Sequence, residues 1–288
     1  MNKLNYGHGA PKLPDNQFKI SPSSAVKFFG YSASWFDEQF LGINKFEGNN
    51  ASIRGTMLHW LAECYAKNDI ITEEDIKEMN AYLDIQLENE FLGLSRDEIE
   101  FDLKNMWAIL KQWIINNPLD STEQYISAQL TPNVVLSGQV DYTRTNEHGE
   151  FIIGDYKSTG AKLMPKEPSY AHWFQAEIYA TIMQLNGTTV DMTEINYIKS
   201  LVPGTLGKPN AKGIAKLGKE YPTEQVTYSR PFTNDDYTKK LGQMMNIAET
   251  MQTLFDQPNL APYLFHNQLL KDMKLDVAKY KSPSTSSD

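Results

Sequence analysis

The chain has 288 residues, 41% of them hydrophobic, with 27 basic and 36 acidic side chains and a formal net charge of −9. That apolar content suffices for one large core or two small ones, and no apolar run reaches the roughly 18 residues of a membrane span, so no membrane partner is expected. Cys64 is the sole cysteine, which leaves too few thiols for a disulfide framework, an iron–sulfur cluster or a structural zinc site.

In chain order, residues 1–18 carry Gly, Pro and Asn without periodicity and read as a leader arm. The arm lacks the apolar stretch of a secretory signal, so a cytoplasmic location is expected. Ser21-Pro22-Ser23-Ser24 has the form of a helix start, a capping hydroxyl followed by proline in the first turn. Val26, Phe29, Trp35, Phe36 and Phe40 extend an apolar side to about residue 42. A second helix is predicted near Ser52–Lys67.

Two amphipathic helices follow, roughly 73–91 and 95–116, split by Gly93 and closed by Asn117-Pro118. Between Glu73 and Asp102 there are eleven acidic residues against Lys77 and Arg96. Taking those from the totals of 27 and 36 leaves 25 of each sign, so the acidity belongs to this 73–116 insert. Net charge therefore says little about a polyanion groove elsewhere, because local potential steers a ligand.

The texture then changes to β-branched residues and partial alternation. Strands are predicted at Gln124–Thr131, Val134–Thr143 and Phe151–Lys157, with a turn at Glu147-His148-Gly149, which suggests an antiparallel meander. Next come a helix at His172–Gln184, a strand at Thr193–Ser200, and a Gly- and Lys-rich loop over 201–220. A strand at Gln225–Ser229, a helix at Thr233–Leu254 and a polar tail over 281–288, expected to be disordered, complete the chain. Such an order predicts a mixed α/β layer fold with one sheet.

Asp141 ends one predicted strand, and Asp155-Tyr156-Lys157 ends the next. Alternation puts Asp155 and Lys157 on one face and turns Tyr156 away, and a hairpin pairing brings Asp141 near. Two carboxylates beside an ammonium make a site for a hard cation such as Mg²⁺ or Mn²⁺, which polarises a phosphate while a lysine steadies water or developing charge. Alone, D-x-K on a strand is a short pattern that paired surface charges also produce.

Five motifs in order set this pattern in context. They are Ser21-Pro22-Ser23-Ser24, Gly55-Thr56-Met57-Leu58-His59, Leu136-Ser137-Gly138-Gln139-Val140-Asp141, Ile153-Gly154-Asp155-Tyr156-Lys157-Ser158-Thr159 and Gln175-Ala176-Glu177-Ile178-Tyr179. Across residues 20–185 the chain resembles the RecB/AddB-like exonuclease branch of the PD-(D/E)XK nuclease superfamily. The resemblance implies an α/β restriction-endonuclease-like core, a central mixed sheet flanked by helices with a helical insert. It implies one nuclease domain over 19–280 that hydrolyses DNA in recombination or repair. By the same resemblance His59, Asp141, Asp155 and the Tyr156 carbonyl are expected to hold Mg²⁺ or Mn²⁺. Lys157 is the expected catalytic lysine, and Gln175 and Tyr179 contact DNA or brace it. Glu123 is expected to be a structural or outer-shell acid, and His172 to have no role.

The chain departs from some relatives in having no cysteines near Tyr31-Ser32-Ala33-Ser34, so no iron–sulfur cluster is expected, and Val140 stands where the first acid's proline would be. It also lacks a helicase phosphate loop, so a motor or recombination partner is expected to be a separate chain. A stand-alone nuclease of this size resembles phage enzymes, which places it in a host cytoplasm. Lys208, Lys212, Lys216 and Lys219 in the flexible loop are candidates to track a phosphate backbone, or are simply solvated. Two rival readings remain: a catalytically inactive nuclease fold that binds DNA ends, and a metallohydrolase of small phosphoesters. The sequence leaves strand polarity and oligomeric state open.

Overall fold

The computed structural model describes residues 17–30, 35, 48–204 and 218–256. Its elements are β1 (Phe18–Ile20), α1 (Pro22–Gly30), α2 (Asn50–Asn68), α3 (Glu73–Leu87), α4 (Arg96–Asn116), β2 (Ser121–Thr131), β3 (Val134–Thr145), β4 (Phe151–Thr159), α5 (Tyr170–Leu185), β5 (Met192–Lys199), β6 (Glu224–Pro231) and α6 (Asn234–Asp256). Apart from the buried Trp35, the expected continuation of the first helix to residue 42 and the polar tail lie outside the described residues, as does the leader arm up to residue 16.

Helix starts follow from side chains that accept the orphan N–H groups of a first turn. The Ser24 N–H donates to Ser21 Oγ at 3.1 Å, which caps α1. Asn49 with Ser52, and Thr72 with Asp75, form reciprocal capping boxes on α2 and α3. Ser95 and Ser169 cap α4 and α5. β1 escapes a reading by pattern because three residues are too few to alternate. It forms by parallel pairing of Phe18–Ile20 with Val134–Leu136, and so takes in Phe18, the last residue of the expected arm.

The sheet is mixed, with path β1-β3-β4-β5-β6 and β2 added on β3. β2–β3 and β3–β4 are antiparallel, as the meander predicts, and Gly149 at φ +78 supplies the left-handed residue of the second turn. β4 and β5 run parallel across the α5 crossover, and β6 returns antiparallel.

Helices cover both faces. On one, α1, α5 and α6 pack on Leu136, Val140 and Ile153 through Ala25, Phe174, Ile178 and Met244. On the other, α2, α3 and α4 pack on Tyr142, Tyr156 and Ile198 through Met57, Leu83, Met106 and Leu110. Leu83 and Leu110 are fully buried, so truncating either to Ala costs about 2–5 kcal/mol. The acidic insert thus joins α2 in the second helical layer, its apolar stripes inward, most of its carboxylates exposed and Asp102 paired with the buried Arg54.

Candidate metal centre and active site

The site forms where the sheet forks. β3–β4 pairing runs from Thr145↔Phe151 to Tyr142↔Gly154 and stops, with Asp141 and Asp155 the next residue on each strand. β4 continues beside β5 as far as Thr159↔Lys199, and β3 stays beside β2. The Asp141 carboxylate fills the mouth of the fork, its Oδ2 accepting the Tyr156 N–H at 2.7 Å.

β2 and α2 supply the rest of one cluster. Glu123 lies opposite Asp141, between the pairs Thr122↔Tyr142 and Gln124↔Val140, and has φ +47. A left-handed backbone at a non-glycine residue costs on the order of 1–3 kcal/mol and persists only where its surroundings impose it. Strand alternation changes sides at this row, since Val140 packs in the α1/α5/α6 core and Tyr142 in the opposite one. His59 descends from α2, its Nδ1 at 3.2 Å from Glu123 Oε1 and 3.5 Å from Asp141 Oδ1. Ligand-type atoms of His59, Glu123 and Asp141 lie within 4.8 Å of one another. Glu123 Oε2 is buried and accepts no hydrogen bond.

Asp155 faces Lys157 instead. Lys157 Nζ donates to Asp155 Oδ1 at 2.7 Å and lies 2.6 Å from Oδ2. It also donates to Gln175 Oε1 at 3.3 Å, while Gln175 Nε2 lies 3.5 Å from the Tyr179 hydroxyl. Tyr156 is turned into the opposite core as alternation requires, with its ring edge-on to His59. His172, for which the sequence offered no partner, bonds through Nδ1 to the Tyr197 hydroxyl, and Tyr197 pairs with Lys157 across the strands.

Burial and crowding set the protonation. Burial opposes a charged His59, but Asp141 and Glu123 outweigh it and raise the imidazole to about 9. Burial lifts the Asp155 carboxyl to about 6, with Lys157 holding it down and Asp141 adding to the rise. The Asp141 carboxyl is also raised by burial, against the pull of His59. Burial works against the Lys157 ammonium, yet Asp155 and Asp141 keep its affinity for the proton above the usual lysine value.

Both groups open into one cavity of about 720 Å³, walled by the starts of α1 and α2 and by Gln175 and Tyr179 of α5. Glycines allow these walls to close in. A methyl group at Gly138 would stand 2.8 Å from both Pro22 and the Tyr179 ring, and one at Gly55 would stand 3.3 Å from Ser158 Oγ. Gly55 and Gly138 are therefore packing contacts between a wall and the sheet. One imidazole and two carboxylates, one with a bare buried oxygen and Asp155 alongside, suit a divalent cation that prefers oxygen and tolerates nitrogen. Lys208, Lys212 and Lys216 lie outside the described residues. Lys219 is placed at the loop stem, its Nζ 5.2 Å over the Tyr221 ring rather than in the cavity.

A family model for the PD-(D/E)XK nuclease superfamily matches residues 19–257. The chain belongs to the PD-(D/E)XK nuclease superfamily. Its mixed sheet between helical layers is the restriction-endonuclease-like fold of that superfamily, whose members use divalent metals. Among solved structures, the chain is similar to a protein of Eubacterium rectale named "Putative exonuclease". The TM-score is 0.51 at 12% identity over 84% of this chain and 86% of that one, a likeness of fold. A protein named SSO0001 aligns at a TM-score of 0.36 and 10% identity over 84% of this chain and 80% of that one. No curated protein matches the chain. Among the described residues no helix is long and apolar enough to cross a membrane.

Proposed function

We propose that this superfamily member is a metal-dependent DNA exonuclease of the RecB/AddB-like branch, acting in recombination or repair. The observation that carries the catalytic reading is the Lys157–Asp155 pair standing beside His59, Glu123 and Asp141 in one open cavity. A catalytically inactive end-binding module has no use for three buried carboxylates facing a phosphate, since they repel it unless a cation intervenes.

In this reading His59, Glu123 and Asp141 hold Mg²⁺ or Mn²⁺, with Asp155 and the Tyr156 carbonyl on the facing strand completing the set. When bound, the cation supplies Lewis acidity toward the scissile phosphate and lowers the proton affinity of water. Lys157 steadies the attacking water and the charge growing on phosphorus oxygens, a role that needs its ammonium aimed by Asp155 and Gln175. Tyr179 braces Gln175. The basic loop around Lys208, Lys212, Lys216 and Lys219 tracks the phosphate backbone outside the cavity. A single nuclease domain over 19–280, working in the cytoplasm beside a separate helicase or recombination protein, accords with this reading.

End-labelled linear, circular and single-stranded DNA incubated with Mg²⁺ or Mn²⁺ tests it. Release of mononucleotides or short oligonucleotides from linear DNA, abolished by EDTA and absent on circles, is expected. Cleavage that survives excess chelator after dialysis removes the metal assignment, and cutting of closed circles makes the enzyme an endonuclease.

A further inference from the structure

Four residues from four strands share one row of the sheet. Tyr142 pairs with Gly154, Gly154 with Glu194, and Glu194 with Ser229. Tyr142 does not stay on its own strand. Its ring lies across Gly154, where any Cβ would overlap the ring atoms, and its hydroxyl donates to Glu194 Oε1 at 2.8 Å. Both ends are out of water, with Tyr142 and Glu194 fully buried. Glu194 is anchored further by Arg144, through Nε at 3.1 Å and Nη2 at 2.6 Å, and by Ser229 Oγ at 2.9 Å.

This row is the last at which β3 and β4 pair. One step beyond, Asp141 and Asp155 diverge, and the Asp141 carboxylate takes the Tyr156 N–H instead of a strand partner. Continued pairing would set two carboxylates opposite each other in the ladder, an unfavourable cross-strand contact. The Tyr142 ring also packs on Tyr156, with centroids 4.6 Å apart, and Tyr156 in turn meets His59 edge-on at 5.6 Å. The row therefore touches the candidate centre along the backbone to both aspartates and through Tyr156 to the imidazole.

We propose that Tyr142, crossing Gly154 to Glu194, is a positioning residue that fixes the opening between Asp141 and Asp155. The idea rests on the functional reading above for its purpose, though not for its test. Tyr142→Phe is a clean probe, because the ring still fills the space over Gly154 and Glu194 keeps Arg144 and Ser229. Only the bond across β4 is lost.

The decisive measurement is hydrogen exchange of the Tyr156 amide, followed by NMR on the metal-free full chain. Tyr142→Phe is expected to speed that exchange about ten-fold while the Ile195 and Tyr197 amides keep wild-type rates. With metal added, the Mn²⁺ dissociation constant should rise about ten-fold with DNA KM unchanged, the size typical of a lost group behind a metal ligand. An unchanged Tyr156 amide, or equal acceleration across β4 and β5, overturns the proposal in favour of a purely structural hydroxyl. Should Tyr142→Phe fail to fold, Ser229→Ala removes a Glu194 contact remote from the fork and gives the same reading at smaller size: faster Tyr156 exchange supports the crossbar, and an unchanged rate rejects it. Wild-type protein that neither binds Mn²⁺ nor cleaves DNA defeats the functional reading alone, since the exchange ratio is read without metal.

Discussion

Two carboxylates lie buried in one sheet, Glu194 on β5 and Glu123 on β2, and the protein surrounds them differently. Glu194 is fully buried and receives the Tyr142 hydroxyl, two Arg144 N–H groups and the Ser229 hydroxyl. Glu123, with a side chain 4% exposed, has one oxygen against His59 and the other without a hydrogen bond, on a left-handed backbone. A buried charge is tolerable when its lone pairs are filled, as at Glu194, and expensive when they are not. The Glu194 site is complete by itself, one row from the fork. The Glu123 site keeps one carboxylate oxygen open even with the His59 imidazole and the Lys157 ammonium nearby, and that difference separates a filled ion pair from a candidate ligand set.

The sharpest way to test that contrast is to remove the ammonium that stands beside the Glu123 site. Lys157→Ala should lower single-turnover cleavage about 10²–10³-fold, the usual cost of one donor aimed at developing charge. Mn²⁺ affinity should hold or improve, because Asp155 then loses its ammonium and keeps its carboxylate. Calorimetry in which the variant no longer binds Mn²⁺ would reverse the assignment of roles between Lys157 and the acids.

Glu123→Gln probes the bare oxygen directly, and because a neutral amide is a poorer ligand for a hard dication it is expected to weaken Mn²⁺ affinity and slow cleavage. Its stability effects should have opposite signs with and without metal. In EDTA above about pH 9, where the His59 imidazole is neutral, the melting temperature should rise or hold, since one of three crowded carboxylates becomes neutral. With Mn²⁺ at about 100 times the wild-type dissociation constant, the wild type gains about 2.7 kcal/mol and the variant much less. A variant stabilised by Mn²⁺ as strongly as the wild type shows that Glu123 is no ligand.

Much of this candidate site is legible in the sequence. Alternation gave Asp155 and Lys157 one face, and helical spacing put Gln175 and Tyr179 one turn apart on a wall of the cavity. The place of Glu123 was hidden by a single irregularity. A two-residue turn at Pro132-Asn133 with regular pairing from Thr131↔Val134 sets Glu123 against Tyr142, one residue from Asp141. The register shift between Gln129 and Thr131 moves it opposite Asp141, and no residue type announces a bulge of that kind. The Tyr142–Gly154–Glu194 row was equally silent, because a side chain crossing one strand to reach the next leaves no period in a sequence. β1 was missed for its length alone.

Gln175→Ala comes next in size. Its amide lies behind Lys157 and carries no charge, so a rate loss of about ten-fold with unchanged Mn²⁺ affinity is expected. Single-turnover kinetics check it. A loss as large as that of Lys157→Ala would mean that Gln175 itself meets the substrate.

The smallest effect on chemistry belongs to the basic loop, whose stem leaves the open end of the sheet. The stem is tight: Val202 and Tyr221 exchange two backbone hydrogen bonds of 2.9 Å, and Gly204 meets the Gly218 backbone too closely for any Cβ. β5, which leads into it, ends beside Thr159 of β4, two residues beyond Lys157. Lysines carried from there can reach phosphates outside the cavity, yet the loop has no carboxylate or histidine between Leu201 and Lys219 with which to enter the metal set. Replacing Lys208, Lys212, Lys216 and Lys219 with Ala should therefore leave single-turnover cleavage of bound DNA near the wild-type rate. Binding should weaken, and its dependence on salt should flatten by about two to three units, because each phosphate contact contributes about 0.7–0.9 to the slope of log affinity against log salt. Fluorescence anisotropy across a salt series measures that slope, and an unchanged value would place the loop away from DNA, leaving the open end to hold its substrate through the cavity walls alone.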